Sequence, residues 1–185
     1  MSERQISERQ TVVSYFSGPE QLRRTELVWG IVREPPAPKY GHQSVVTRTV
    51  VLLDHYVREH GSGRVCVSPV DVVLDPGKVL VVQPDVVFVS NERLEIVRDQ
   101  IWGAPDVVAE VLSTATQRRD RTLKWRWYRR YGVREYWLID PVEQSVKVAV
   151  FDPPRPARRR VFCNHAAVKS TVLPAFDRPA SAFFE

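Results

Sequence analysis

The sequence predicts a mixed α/β layer sandwich, and three observations carry that prediction. Apolar residues recur at helical spacing in two places, around residues 45–57 and again around 116–131. Short Val-rich runs bounded by turn signals fill the intervals and the chain after them. The 185 residues, 43% hydrophobic and 26% charged, have the balance of an ordinary domain able to bury a core. Helices alternating with groups of strands point to an α/β architecture of order αβββαβ.

Taken in order, residues 1–24 read as a polar, partly flexible arm, opening on the doubled pentad Ser2-Glu3-Arg4-Gln5-Ile6 and Ser7-Glu8-Arg9-Gln10-Thr11. Residues 25–185 read as a single domain. Glu26–Val32 suggests a strand pair or bend around Gly30, and Pro35-Pro36-Ala37-Pro38 breaks the chain. In the first helix Val45, Val46, Thr49, Leu52, Leu53, Tyr56 and Val57 form one face, and His60-Gly61 supplies the stop. Strand-like runs follow at Arg64–Ser68, Val70–Leu74, Val79–Val82, Val86–Val89 and Val107–Leu112. The nearly continuous apolar stretch Val79–Val89 is what a central strand covered on both faces would show. A second helix is expected from about Thr116 to Tyr131, stopped by Gly132, with Leu123, Trp127, Tyr128 and Tyr131 inward. Strands at Glu135–Ile139 and Ser145–Phe151 flank an Asp140-Pro141 turn, and the proline-rich remainder reads as edge strands and a closing tail.

Composition excludes several classes. No stretch reaches the 18 or so apolar residues of a membrane helix. The N-terminus shows no apolar leader, and Cys66 and Cys163 form no C-x-x-C pair, so a cytoplasmic protein without a thiolate metal site is expected. No H-E-x-x-H, P-loop or G-x-S-x-G occurs. Net charge is +5, but the window 117–134 alone carries eight basic residues against Asp120, a net +7. A second basic cluster, Arg155, Arg158, Arg159 and Arg160, lies towards the C-terminus. Such clusters suit nucleic acid, although a charge run can equally be a solvated helix face. Trp125, Trp127 and Trp137 read as core or interface residues.

Two acids stand beside apolar runs. Asp85 immediately precedes Val86-Val87, and Glu110 lies inside Val107–Leu112. Burying a carboxylate costs several kcal/mol unless it is paired or metal-bound. On neighbouring strands the two could converge on one hard cation such as Mg²⁺, which takes one or two carboxylates together with waters and phosphate oxygens. Alternatively Asp85 caps a turn after Pro84, and Glu110 pairs with an arginine of the basic helix. Lys124 borders the inward stripe of the second helix. It either pairs with Asp120 at i−4 on the helix surface or reaches across the sheet towards the two acids.

The run GAPDVVAEVLSTATQRRDRTLKWRWYRRYGVREYWLIDP, Gly103 to Pro141, together with VVQPDVVFVSNERLEI, Val81 to Ile96, resembles the signature of the Uma family of restriction endonucleases, within the PD-(D/E)XK nuclease superfamily. Glu26–Gly30 and the stretch with His42 match more weakly. The resemblance implies a restriction-endonuclease-like core, a mixed β-sheet flanked by helices, so that residues 25–185 would be one nuclease-like domain. It puts Asp85 at the PD aspartate and Glu110 at the (D/E). The lysine two residues after that acid is absent, because position 112 is Leu112; the resemblance puts the matching lysine at Lys124, on the next helix. Glu26, His42, Gln83 and Asp120 also match and are supporting candidates.

The implied chemistry is metal-assisted hydrolysis of DNA phosphodiester bonds. Asp85 and Glu110 would hold Mg²⁺ or Mn²⁺, Lys124 would fix the nucleophile or stabilise added negative charge, and Arg118, Arg119 and Arg121 would contact flanking phosphates. Cutting two antiparallel strands favours a homodimer. The displaced lysine keeps open a second reading, a catalytically inactive nuclease-fold protein that binds DNA or serves assembly. A weaker third is a structural partner whose basic helix binds an acidic protein.

Overall fold

The apolar run Val79–Val89 is not one strand. It breaks at Gln83-Pro84-Asp85, and its two halves enter different sheets. Pro84 cannot donate to a ladder, so pairing stops there. The computed structural model describes residues 4–6, 8–18, 24–113 and 119–185, the first three by backbone only.

The first sheet is built from β1 (Arg4–Ile6), β2 (Glu26–Val28), β3 (Ile31–Glu34), β5 (Val72–Asp75), β6 (Leu80–Val82) and β8 (Ile101–Trp102), in the order β1-β3-β2-β6-β5-β8. The second contains β4 (Gly63–Val67), β7 (Val86–Ser90), β9 (Val107–Val111), β10 (Glu135–Asp140), β11 (Ser145–Val150) and β12 (Arg158–Cys163), in the order β12-β11-β10-β9-β7-β4. In that sheet only β9 and β10 run parallel. Parallel neighbours need a crossover connection, which here is the second helix. The expected pair at Glu26–Val32 is β2 and β3, joined through Trp29-Gly30. The described parts of the arm join the first sheet: β1 pairs with β3, and Val12 of α1 (Val12–Phe16) packs with Leu27, Val32 and Val81.

Helix α2 (Tyr40–His60) follows the predicted periodicity, burying Val45, Val46, Thr49, Leu53 and Tyr56. Gly61 ends it in the left-handed region at φ 57°, its N–H bonded to Val57 O, a conformation glycine adopts without Cβ strain. This face packs on Val86, Phe88, Ala109, Val111 and Trp137 of the second sheet. The closing tail completes the same core, because Leu173, Phe176 and Phe183 are buried with Tyr56 and Trp137. Strands β13 (Ala167–Val168) and β14 (Arg178–Pro179) clamp the tail. Glu135 latches it from the sheet, accepting bonds from Thr171 N–H at 2.5 Å and the Ser170 hydroxyl at 2.7 Å.

The other face of the second sheet meets the first sheet and α3 (Trp125–Tyr131). Val87, Val108 and Tyr136 pack there with Val72, Leu80, Trp127 and Tyr128. The inward stripe expected for this helix is corrected in part: Trp127 and Tyr128 are buried, but Leu123 is exposed and Tyr131 half-buried. The cause is a π-helical turn, Asp120–Lys124, preceding α3. Its wider winding rotates the first turn, so that Asp120 and Lys124 face inward. Such turns often mark functional positions. The predicted start of the helix at Thr116 lies outside the described residues.

Candidate active site

The chain crosses from the first sheet to the second at Gln83-Pro84-Asp85, and this crossing brings together charged groups from five segments. Asp85 is buried, its Oδ2 accepting the Val111 N–H at 2.8 Å, so it lies against the strand that carries Glu110. The turn-cap alternative for Asp85 does not describe this, since its acceptor bond reaches across sequence to β9. Glu110 lies on the β9 face that looks towards α3. Its Oε1 accepts from Lys124 Nζ at 2.6 Å and from the Tyr128 hydroxyl at 2.8 Å.

Lys124 is buried and reaches Glu110 across the sheet, and its contact with Asp120 is made inside, not on the helix surface. Its Nζ stands 2.6 Å from Glu110, 3.1 Å from Glu26 and 3.7 Å from Asp120. Leu112, at the position where the superfamily pattern has lysine, lines the same cavity and carries no charge. The ammonium is therefore delivered to the acid by the π-turn from across the sheet.

The supporting candidates also gather here. Glu26, at the start of β2, pairs with Lys124 and with Arg119. It accepts the Gln83 N–H at 3.3 Å. The Gln83 side chain ties the crossing down, accepting from Thr25 N–H and donating to Asp71. His42, on the first turn of α2, puts Nε2 3.4 Å from Asp85 Oδ2. Asp120 is buried beside Lys124, and its backbone carbonyl accepts from the Tyr136 hydroxyl.

Of the expected phosphate contacts, Arg118 lies outside the described residues. Arg119 pairs with Glu26 and lines the cavity wall. Arg121 pairs with Asp140 at 2.8 Å and is more exposed. Sequence reasoning missed Arg24, whose place at the end of a polar arm does not signal a site. Its guanidinium spans the two acids, with Nη1 2.5 Å from Asp85 Oδ1 and Nη2 3.5 Å from Glu110 Oε2, and Nη2 also donates to the Gln83 carbonyl.

Electrostatics separates the two acids. Burial pushes Asp85 up, but Arg24 and His42 more than reverse it, so it stays ionised far below the usual range. Glu110 goes the other way, to about 7, because burial and then the Asp85 and Asp120 charges outweigh the pull of Lys124 and Arg24. Glu26 falls to about 2: desolvation is overcome by Lys124, Arg119 and Arg24. Burial opposes the charge on Lys124, yet Glu110 and Glu26 hold it protonated well above the ordinary lysine range. For His42, burial is outweighed by its Asp85 partner, and the imidazole is shifted upward.

These groups line one cavity of about 610 Å³, walled by Pro35–Pro38 and Lys39 on one side and by Pro141 and Val142 on the other. Among the described residues no group of three or more His, Cys, Asp or Glu side chains is arranged to cage a metal. A hard divalent ion needs less, one or two carboxylates plus waters and substrate oxygens. Asp85 and Glu110 supply oxygen donors of that kind, and the cation already between them, Arg24, shows that the seat calls for positive charge. The residues present fit such an ion.

A mixed sheet flanked by helices, with β9 and β10 parallel across the second helix, gives the protein a restriction-endonuclease-like fold. The chain belongs to the Uma2 family, described as "Putative restriction endonuclease", whose profile matches residues 13–179. It is similar in structure to a nuclease of the DUF820 group from Anabaena variabilis, titled "putative", with a TM-score of 0.73 at 21% identity over 95% of this chain and 97% of that one. That likeness shows the shared fold. No curated protein matches the sequence.

Proposed function

We propose that the protein is a divalent-metal-dependent endonuclease that hydrolyses DNA phosphodiester bonds. The observation carrying this reading is the meeting of Asp85, Glu110 and Lys124 in one cavity, from three separate elements. Family membership supports the nuclease part of it. Asp85 and Glu110 would hold Mg²⁺ or Mn²⁺. Bound there, the ion would supply Lewis acidity towards the scissile phosphate and acidify water.

The chain's own groups do the rest. Asp85, ionised and held by the Val111 N–H, keeps its orientation fixed. Glu110 near neutrality can hold or release a proton at Oε2, the oxygen that Lys124 and Tyr128 leave open, as the cavity charge changes. Lys124, pinned by Glu26, Glu110 and Asp120, places a fixed ammonium where negative charge develops on a phosphoryl group. Glu26, His42, Gln83 and Asp120 orient these groups. Arg118, Arg119 and Arg121 are the proposed contacts to flanking phosphates, with Tyr128 steadying Glu110. The enzyme is proposed to act in the cytoplasm as a homodimer, one site per DNA strand. No helix among the described residues is long and apolar enough to cross a membrane.

The ion pair between Arg24 and Asp85 favours a second reading, a nuclease-fold protein that binds DNA or serves assembly without turnover, its metal seat held by arginine. A plasmid cleavage assay with Mg²⁺ or Mn²⁺ separates them. Wild type should cut, while Glu110→Gln and Lys124→Ala should not. Cleavage that survives Glu110→Gln overturns the site assignment, and a wild type that binds DNA but never cuts selects the second reading.

A further inference from the structure

Two arginine clusters far apart in sequence meet in the fold, through Arg155 and Arg159 of the second. Segments 125–131 and 151–160 together hold seven arginines, no lysine and one acid, Asp152, a net +6 that exceeds the +5 of the whole chain. All seven are exposed, but those of β12 alternate: Arg159 lies on the α3 side with Ala149, whereas Arg158 and Arg160 stand opposite Val150 and Val148, on the side that α2 covers. The segments touch directly: the Arg159 guanidinium lies 3.9 Å above the Trp125 ring, and Arg129 Nη2 donates to the Arg155 carbonyl at 3.4 Å. Trp125 in turn packs edge-on against Phe151. A groove of about 360 Å³ runs between Trp125, Arg126, Arg129, Arg130 and Pro153.

Elsewhere on the protein Arg93 and Arg134 pair with Asp106, and Arg121 pairs with Asp140. Here Arg155 pairs with Asp152, and among the described residues no ion pair joins Arg126, Arg129, Arg130, Arg158 or Arg159 to an acid. Uncompensated like charges repel one another and weaken the fold, so their concentration calls for an external anion. Planar guanidinium forks without lysine suit phosphate oxygens taken in pairs.

We propose that this face, the outer side of α3 together with the edge strand β12, is a docking surface for the phosphate backbone of duplex DNA. This rests on the nuclease reading and extends it. Trp125 directly follows Lys124, so one helical segment carries both the cavity lysine and this surface, and Arg119 and Arg121 remain the contacts proposed at the cavity. Phosphates held on α3 and β12 would add to the contacts proposed for the cavity arginines.

The test is fluorescence anisotropy of a labelled duplex in EDTA across a salt series. Wild type is compared with Arg126→Gln/Arg129→Gln/Arg130→Gln, with Arg155→Gln/Arg159→Gln, and with Glu110→Gln. Circular dichroism melts confirm folding, which the exposed positions should preserve. Each arginine set should weaken binding at least about tenfold and lower the salt slope by about 0.9 per lost phosphate contact. Glu110→Gln should bind as wild type does. Arginine variants with wild-type affinity and slope overturn the proposal, as does a wild type that ignores DNA. So does displacement of the duplex by polyglutamate at equal charge, which would assign the face to an acidic protein. If the arginine variants bind normally while Glu110→Gln abolishes cleavage, only this surface fails. If they lose binding while Glu110→Gln still cuts, only the nuclease site fails.

Discussion

Arg24 sets its Nη1 2.5 Å from Asp85 Oδ1, tying the end of the N-terminal arm to the point where the chain passes between sheets. The pair is buried on the Asp85 side and only partly open on the Arg24 side. A buried carboxylate stripped of its partner costs about 3–5 kcal/mol.

Arg24→Met should therefore lower stability in EDTA by a few kcal/mol, with His42 softening the loss. Because a divalent ion offers the same seat positive charge, Mn²⁺ should raise the variant's Tm more than it raises that of wild type. Thermal melts with and without Mn²⁺ measure this. Equal Mn²⁺ shifts in the two proteins would mean that arginine and metal do not share the position.

Glu110 predicts a pH dependence. Its carboxyl is raised from 4.5 to about 7, so the folded state prefers the protonated form. The stability this contributes is fully present below pH 4.5 and is lost as pH rises through 7, up to about 3 kcal/mol for a shift of this size. Glu110→Gln, neutral throughout, should gain on wild type across that window and hold a constant offset outside it. Urea unfolding on both sides of the window reads the difference directly, and parallel pH profiles would refute it. Mn²⁺ affinity should weaken below pH 7 in wild type, since the ion needs the ionised acid.

Lys124 neutralises three acids, so its removal should be costly. Lys124→Met is expected to destabilise by about 3–5 kcal/mol and to push Glu110 further upward, besides abolishing cleavage. Chemical denaturation separates the stability loss from activity measured below the unfolding transition. A variant as stable as wild type would show that Glu26, Glu110 and Asp120 do not depend on that ammonium.

Glu135 offers a prediction away from the site. It is fully buried and accepts from the Thr171 and Ser170 hydroxyls, the Thr171 N–H and the Trp137 indole. Glu135→Ala should cost about 3 kcal/mol, since several buried donors lose their acceptor. Hydrogen exchange should quicken at the Thr171 and Val172 amides before it does in α2. Unchanged protection there would mean that the tail is held by Leu173, Phe176 and Phe183 alone.

Much of this was legible in the chain. Helix α2 followed from its apolar spacing and Gly61, and most strands followed from Val-rich runs between turn signals. Asp85 and Glu110 stood out because charges beside apolar runs need a reason. Elsewhere the period misled. Val79–Val82 and Val86–Val89 read correctly as two runs, yet the stretch also suggests one central strand, because strands of two adjoining sheets are equally apolar and Pro84 marks the break. Leu123 looked inward because a regular helix was assumed, whereas the π-turn rotates that face.

The sequence by itself determined which segments are buried and which acids would be expensive to bury, because burial leaves a periodic imprint on neighbouring residues. Tertiary structure alone decided which charges meet: that Arg24, 61 residues away, joins Asp85, that Lys124 reaches Glu110 from the next helix, and that Arg159 lies over Trp125 beside the arginines of α3. Coulomb interactions act through space between single side chains, and a single side chain carries no period from which its partner can be read.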